Sequence, residues 1–304
     1  MININKGTLK IKFSKGFGNN LFQYCFGRLL SEYHKLNYSH LAIPELNIKK
    51  EEYLYNKEMR TIRFKARNNF EAKKYDKNHI KWFSPRYRNC NFDFFSFIFY
   101  FEDYNIYKDY LKKIKSWFPP VKKTNVKDLV LHFRLENRLI WKTHYRNTVK
   151  PGTYKKIILS NFNFEKLYIV TDAEKWDYLK KKDILKLHKK ILNKYKRNST
   201  EIISIKLSRQ YMNDIIDEFK EFKPIIHHSK RFIDDFNFIR SFDKIMFKNS
   251  TFAWWASVLS YASKVGVFRP WKPNKGKKNR NLGQTDFSGW FGWGKINDLR
   301  SELF

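Results

Sequence analysis

The chain predicts an α/β protein with mainly parallel sheets, on three observations. Near the start, Leu9 to Ser14 alternates apolar and polar residues and passes through Lys15-Gly16-Phe17-Gly18-Asn19-Asn20 into a helical pattern from Leu21 to Leu36. Strand, glycine turn and helix in that order open an α/β unit. From residue 128 onward, short apolar runs alternate with helical stretches, the signature of a parallel sheet with helical crossovers. Third, the run Ile245-Met246-Phe247 reads as a buried strand that turns through Lys248-Asn249-Ser250-Thr251 into an Ala- and aromatic-rich helix, Phe252 to Ala262.

Each element follows from local chemistry. In the first helix Leu21, Tyr24, Cys25, Arg28, Leu29 and Glu32 recur at three- and four-residue spacing. Residues 40 to 120 show no long period. They are basic and aromatic, with a short aromatic run at Phe94 to Phe101, a solvated stretch at Lys73 to Lys77 and a helical pattern from Tyr104 to Ser116. Phe118-Pro119-Pro120 and the Lys/Asn run to Asn125 read as a linker, which divides the chain into domains 1–122 and 123–304. Beyond it come a strand at Asp128 to Phe133, a helix at Thr153 to Asn161, a strand at Lys166 to Thr171 and a basic helix at Trp176 to Lys194. A strand at Glu201 to Ile205, a helix at Met212 to Phe222, the segment Asp234 to Arg240 and a last strand at Lys264 to Phe268 complete the pattern.

Composition narrows the class. The chain has 304 residues, a net charge of +33 and 42% apolar residues including 29 Phe and 18 Tyr, enough for a sizeable core. Such charge favours an anionic partner, whether nucleic acid, an anionic membrane or a phosphorylated ligand. Lys is spread along the whole length, however, as a compositional bias would spread it. Cys25 and Cys90 make no disulfide framework, and no His/Cys cluster has metal-site spacing. Two adjacent residues of a strand would point to opposite sides, so the pair His227 and His228 does not read as a metal site. With neither a signal-peptide core nor a membrane-spanning run, the sequence predicts a soluble, cytoplasmic protein. Its oligomeric state is open.

Ligands of parallel sheets sit at the carboxyl ends of strands. His132 and Arg134 lie at one such end, Asp172 at the next, and Asn249, Ser250 and Thr251 at a later one. Arg offers a planar fork of donors suited to a diphosphate. Ser250 or Thr251 is the natural cap of a helix whose first turn would attract an anion. Each residue also has a structural role open to it: Arg134 paired with Glu136, His132 hydrogen-bonded in the core, Asp172 capping a following helix. Together they point to a phosphate-bearing ligand. The Gly16/Gly18 turn adds Asn19, Asn20 and Gln23 as uncharged donors on a first helical turn.

These segments, in this order, resemble the α-1,2-fucosyltransferases of glycosyltransferase family 11, and more distantly the α-1,6- and protein O-fucosyltransferases. Gly16-Phe17-Gly18-Asn19-Asn20-Leu21-Phe22-Gln23-Tyr24 is similar to the family's N-terminal glycine signature. His132-Phe133-Arg134 resembles its His-x-Arg motif, Tyr168 to Asp172 its Phe-Ser-Asp strand end, and Asp235 to Ile239 its Asp-Phe-x-x-Met segment. Asn249-Ser250-Thr251-Phe252-Ala253-Trp254-Trp255 is similar to Asn-Ser-Ser-Phe-Ser-Trp-Trp, and Val265 to Trp271 loosely matches the closing strand. The chain departs from the pattern at Leu135, where a second arginine is usual, and at Asn137, where an acidic residue is usual, with Glu136 beside it. Asn20 stands in place of Gln and Ala253 in place of Ser.

The resemblance implies two Rossmann-like domains facing a cleft, a GT-B-type arrangement. It also implies metal-independent, inverting transfer of L-fucose from GDP-β-L-fucose to a glycan hydroxyl, α-1,2 by its likeness. No cofactor is implied beyond the donor. Arg134 and the Ser250/Thr251 helix start would take the GDP charge, with Asn19 and Gln23 across the cleft. Asp235 and Asp172 would contact guanosine or orient Arg134. His132, Glu136 and Asp172 compete as general base toward the acceptor. Trp290, Phe291 and Trp293 would fill a core edge or stack on a sugar. The alternatives are a related transferase using another nucleotide-sugar, and a basic nucleic-acid-binding protein with interleaved aromatics such as Tyr87, Phe92 and Phe94.

Overall fold

A computed structural model describes residues 6–14, 16–66, 71, 79–96, 99–102, 106–135, 152, 154–172, 211–227, 229–248 and 250–268. The chain divides into two compact units, one within Met1–Pro120 and the other within Val121–Asn279. Both are α/β with wholly parallel sheets.

The first unit carries β1 (Thr8–Ile11), α1 (Phe17–His34), β2 (Asn37–Ser39), β3 (Arg60–Phe64), β4 (Cys90–Phe94) and a short helix α2 (Leu111–Ser116). Sheet order is β2-β1-β4-β3. The helical pattern anticipated from Leu21 begins four residues earlier, because Gly16 adopts φ 114°, a conformation open to glycine, and its carbonyl already accepts from Asn20 N at 3.0 Å. Phe94, Phe99 and Phe101 of the aromatic run are core, whereas Phe95 is exposed. Phe26 stacks on Phe101 at 3.9 Å, Phe94 stacks on Phe64 at 4.4 Å, and Phe94, Phe99 and Phe101 are fully buried. Three of the four strands went unrecognised in the sequence. They are three to five residues long, and their pairing is set by tertiary contacts such as buried Asn91, which accepts from Thr8 N at 2.8 Å and donates to Asn56 O at 2.7 Å. The pattern from Tyr104 resolves into a 3₁₀ turn at Lys108–Tyr110 followed by α2.

The second unit carries β5 (Asn125–Phe133), α3 (Tyr154–Asn161), β6 (Leu167–Thr171), α4 (described at 211–218), β7 (Ile225–His227), α5 (Phe232–Arg240), β8 (Phe242–Lys248), α6 (Thr251–Leu259) and β9 (Lys264–Phe268). Sheet order is β7-β6-β5-β8-β9. The chain winds outward from β5 in one direction and then, from β8, in the other, which is the Rossmann strand order. Alternation along β5 separates the layers. Leu129, Leu131, Phe133 and Leu135 join Tyr154, Ile158, Met212 and Ile215 in one buried cluster beneath α3 and α4. His132 meets Phe252 of α6 on the other side, and Tyr168 meets Phe238 of α5.

β7 was missing from the sequence reading, and α4 ends four residues earlier than anticipated, in a 3₁₀ turn at Lys220–Phe222. The strand at Glu201 to Ile205, the helix at Trp176 to Lys194, Glu136, Asn249 and the Trp290, Phe291 and Trp293 stretch lie outside the described residues. Among the described residues no helix is long and apolar enough to cross a membrane.

Candidate functional site

In a sheet of this order the loops leaving the two innermost strands separate at their carboxyl ends and leave a crevice between them. In the second unit those strands are β5 and β8, paired in register with His132 opposite Phe247. Arg134 leaves β5 there, and Ser250 and Thr251 leave β8. Leu135 still belongs to the cluster under α3 and α4, so alternation continues past the strand and puts Arg134 on the α5/α6 side with His132. Arg134 is half-buried and His132 buried.

Three contacts hold these strand exits in place. The His132 ring lies 5.7 Å from the Phe252 ring, and Phe252 meets Phe236 of α5 edge-on at 5.2 Å. On the other flank Asp172, one residue past β6, accepts a 2.7 Å hydrogen bond from the Leu135 backbone N–H. Asp172 therefore fixes the main chain immediately after Arg134. This ties two neighbouring strand exits together; the helix that Asp172 would cap, from Ala173 onward, lies outside the described residues.

Of the two cap candidates, Ser250 takes the role. Its backbone is extended, and its Oγ accepts from Ala253 N at 3.3 Å. Thr251 begins the helix and is half-exposed. No acidic residue occupies the first turn of α6, so its positive dipole end keeps its field. At the far end buried Arg240 donates from Nε and Nη2 to Leu259 O and from Nη1 to Asn237 Oδ1. Burial pulls its guanidinium down to about 10, which leaves it charged at neutral pH. A cation at the last carbonyls complements the dipole and locks α6 to α5. The sequence reading missed Arg240, since an arginine ending an amphipathic helix carries no signal of burial.

Asp235 is buried on the first turn of α5, 3.6 Å from His227 Nε2. The His227 ring stacks on Phe238 at 3.5 Å and also meets Ser229 Oγ at 2.9 Å. Asp235 is thus placed at the exit of β7, with His227 as its companion. The adjacent histidines marked this strand end, but without β7 their context was lost.

The glycine signature belongs to the first unit, at the exit of β1. Gly16, half-buried Asn19 and Asn20, and buried Gly18 start α1, and among the described residues no side chain caps that helix. Asn20 Oδ1 and Ser14 Oγ are buried atoms with no hydrogen-bond partner among the described residues. Gln23 is fully buried, and its amide is committed to the protein's own backbone: Oε1 accepts from Ser14 N at 2.8 Å, and Nε2 donates to Phe99 O at 2.8 Å and Lys12 O at 3.2 Å. It braces the turn from within. The structure thus puts His132, Arg134, Asp172, Ser250 and Thr251 at the carboxyl ends of the adjacent strands β5, β6 and β8, gathers Gly16, Gly18, Asn19 and Asn20 at the exit of β1, and gives Asp235 a position on α5 by the exit of β7. Among the described residues no group of three or more His, Cys, Asp or Glu could hold a metal ion.

The chain matches no protein-family model, no curated protein and no solved structure.

Proposed function

We propose that the protein is a glycosyltransferase of GT-B type. In this proposal its two Rossmann-like units face a cleft, and it transfers L-fucose from GDP-β-L-fucose to a glycan hydroxyl with inversion and without a metal. The observation that carries the proposal is the placement of Arg134 and the Ser250-capped start of α6 at the switch point between β5 and β8. A departing GDP develops charge on its β-phosphate, and fixed donors that need not reorganise are the strongest means of stabilising it. Arg134 supplies the cation and α6 the dipole. Asp172, through Leu135 N–H, is a positioning residue for Arg134. Asp235 with His227 and Phe238 forms a polar and aromatic group beside the crevice that suits a purine nucleoside.

The unpartnered Asn20 Oδ1 and Ser14 Oγ at the β1 exit support a polar ligand there as well. Asp172 already holds a backbone donor, so it is the weaker of the described base candidates. His132, on the Arg134 side of β5, is the better one.

The test is hydrolysis of nucleotide-sugars without acceptor. Incubation with GDP-fucose, GDP-mannose, UDP-glucose and UDP-galactose should release GDP from GDP-fucose alone. Release from another donor only would reassign the donor, and release from none, with no GDP binding, would remove the proposal.

A further inference from the structure

The first unit contains an open cavity of about 540 Å³ beside α1 and the loop that follows β2. Tyr24, one helical turn beyond Asn20, lies in its floor with His40, Leu46 and Phe118, all buried. Its walls and rim carry Arg28, Trp117, Asn47, Lys49 and Glu51.

The loop is built to hold its shape. An antiparallel bridge joins Ile43 to Ile48, a second joins His40 to Glu51, and Asn47 closes the turn at φ 58°. On the opposite wall the Arg28 guanidinium lies 4.3 Å over the Trp117 ring, its Nη1 donates to Tyr24 Oη at 3.1 Å, and its Nε pairs with Glu32 at 3.2 Å. His40 Nδ1 donates to Leu41 O at 3.0 Å, which leaves Nε2 as an acceptor, and burial holds the ring below its ordinary range, hence neutral.

The chemistry of this lining selects a ligand class. It mixes aromatic carbon with both donors and acceptors: Arg28, Lys49, Asn47, the Glu51 carboxylate and His40 Nε2. A phosphate would meet the Glu51 carboxylate at the rim and an arginine whose charge Glu32, shared with Lys113, offsets in part. A sugar ring has hydroxyls that both donate and accept, and C–H faces that rest on aromatic carbon. A pocket with an apolar floor and a few convergent polar groups suits it.

We infer that this cavity is a pyranose-binding subsite, which holds one sugar ring of the acceptor glycan. The word acceptor rests on the proposed glycosyltransferase function; the sugar site itself does not.

Saturation-transfer NMR on the full chain tests it, with methyl β-galactoside, glucoside, mannoside and N-acetylglucosaminide as probes. At least one should receive saturation on its ring C–H protons, and Trp117→Leu should reduce that signal at least fivefold. Asn47→Asp and Lys49→Ala, at exposed positions, provide variants that keep the fold, and each should reduce it at least twofold. Transfer to no pyranoside, transfer unchanged in all three variants, or displacement of the sugar by inorganic phosphate would overturn the inference. GDP binding by calorimetry is run in parallel. Sugar binding without GDP binding would keep this subsite and sink the transferase reading, and GDP binding without sugar binding would do the reverse.

Discussion

Gln23 separates a structural brace from a ligand contact, and its replacement by Leu has a calculable cost. Leucine nearly preserves the volume, so little cavity forms, but three hydrogen bonds vanish. Phe99 O is buried and loses the Gln23 donor, a penalty of about 1–3 kcal/mol. Ser14 N and Lys12 O are partly accessible to water and recover some hydration, so each costs about 0.5–1 kcal/mol. The total, about 2–5 kcal/mol, is a large share of the ~5–15 kcal/mol that usually separates folded from unfolded domains. Urea denaturation of the full chain should show the loss, and hydrogen exchange should show Ser14 N–H, just past β1, losing protection before β1 does. A midpoint shift worth less than ~0.5 kcal/mol, with Ser14 exchange unchanged, would refute the brace.

Gly27 has no room for a methyl group: a Cβ there would sit 2.2 Å from the Tyr38 ring, whose hydroxyl donates to Gln23 O at 3.0 Å. Gly27→Ala should cost about 1–3 kcal/mol by thermal unfolding, and Tyr38→Leu in the same chain should recover part of it. Burial lowers His34 and His40 below the ordinary imidazole range, so the unfolded chain takes up protons first as pH falls. The stability they contribute is therefore complete above about pH 6.5 and is lost as pH drops through their folded values, which urea midpoints between pH 7.5 and 5 will register. Asp172→Ala leaves the Leu135 N–H without this acceptor and should cost about 1–3 kcal/mol and weaken GDP roughly tenfold, whereas Asp172→Asn keeps an acceptor oxygen and should weaken GDP less in calorimetry.

The α/β character of both units and the parallel strands of the second were legible because buried strands read as apolar runs and glycine or capping residues mark their turns. Ser250 shows how far that goes: a small hydroxyl between an apolar run and a helix narrows the cap to Ser250 or Thr251, and the fold gives the role to Ser250. The stretch from 40 to 120 was opaque for a physical reason. β2, β3 and β4 are short, and Asn91 and the Phe26/Phe94/Phe101 packing join residues tens of positions apart, which no local period records. At the crevice, residue type and strand-end position located His132, Arg134 and Asp172. The partners that give them their roles, Leu135 N–H and the Phe252 ring, belong to the backbone and to tertiary packing, and Arg240 was hidden for the same reason. Gln23 carried a motif's signature yet faces inward, since an amide buried beside a turn serves either a ligand or the chain, and only three-dimensional neighbours distinguish the two.

In the proposed function Arg134 and the start of α6 grip a pyrophosphate. Calorimetric titration of the full chain with GDP, with and without Arg134→Ala, tests it most directly. Truncating a half-buried guanidinium that pairs with phosphate removes about 2–5 kcal/mol, so affinity should fall by roughly 30-fold or more while the melting temperature of the free protein stays unchanged. Equal GDP affinity in the two proteins, or no GDP binding by the parent chain, would contradict it.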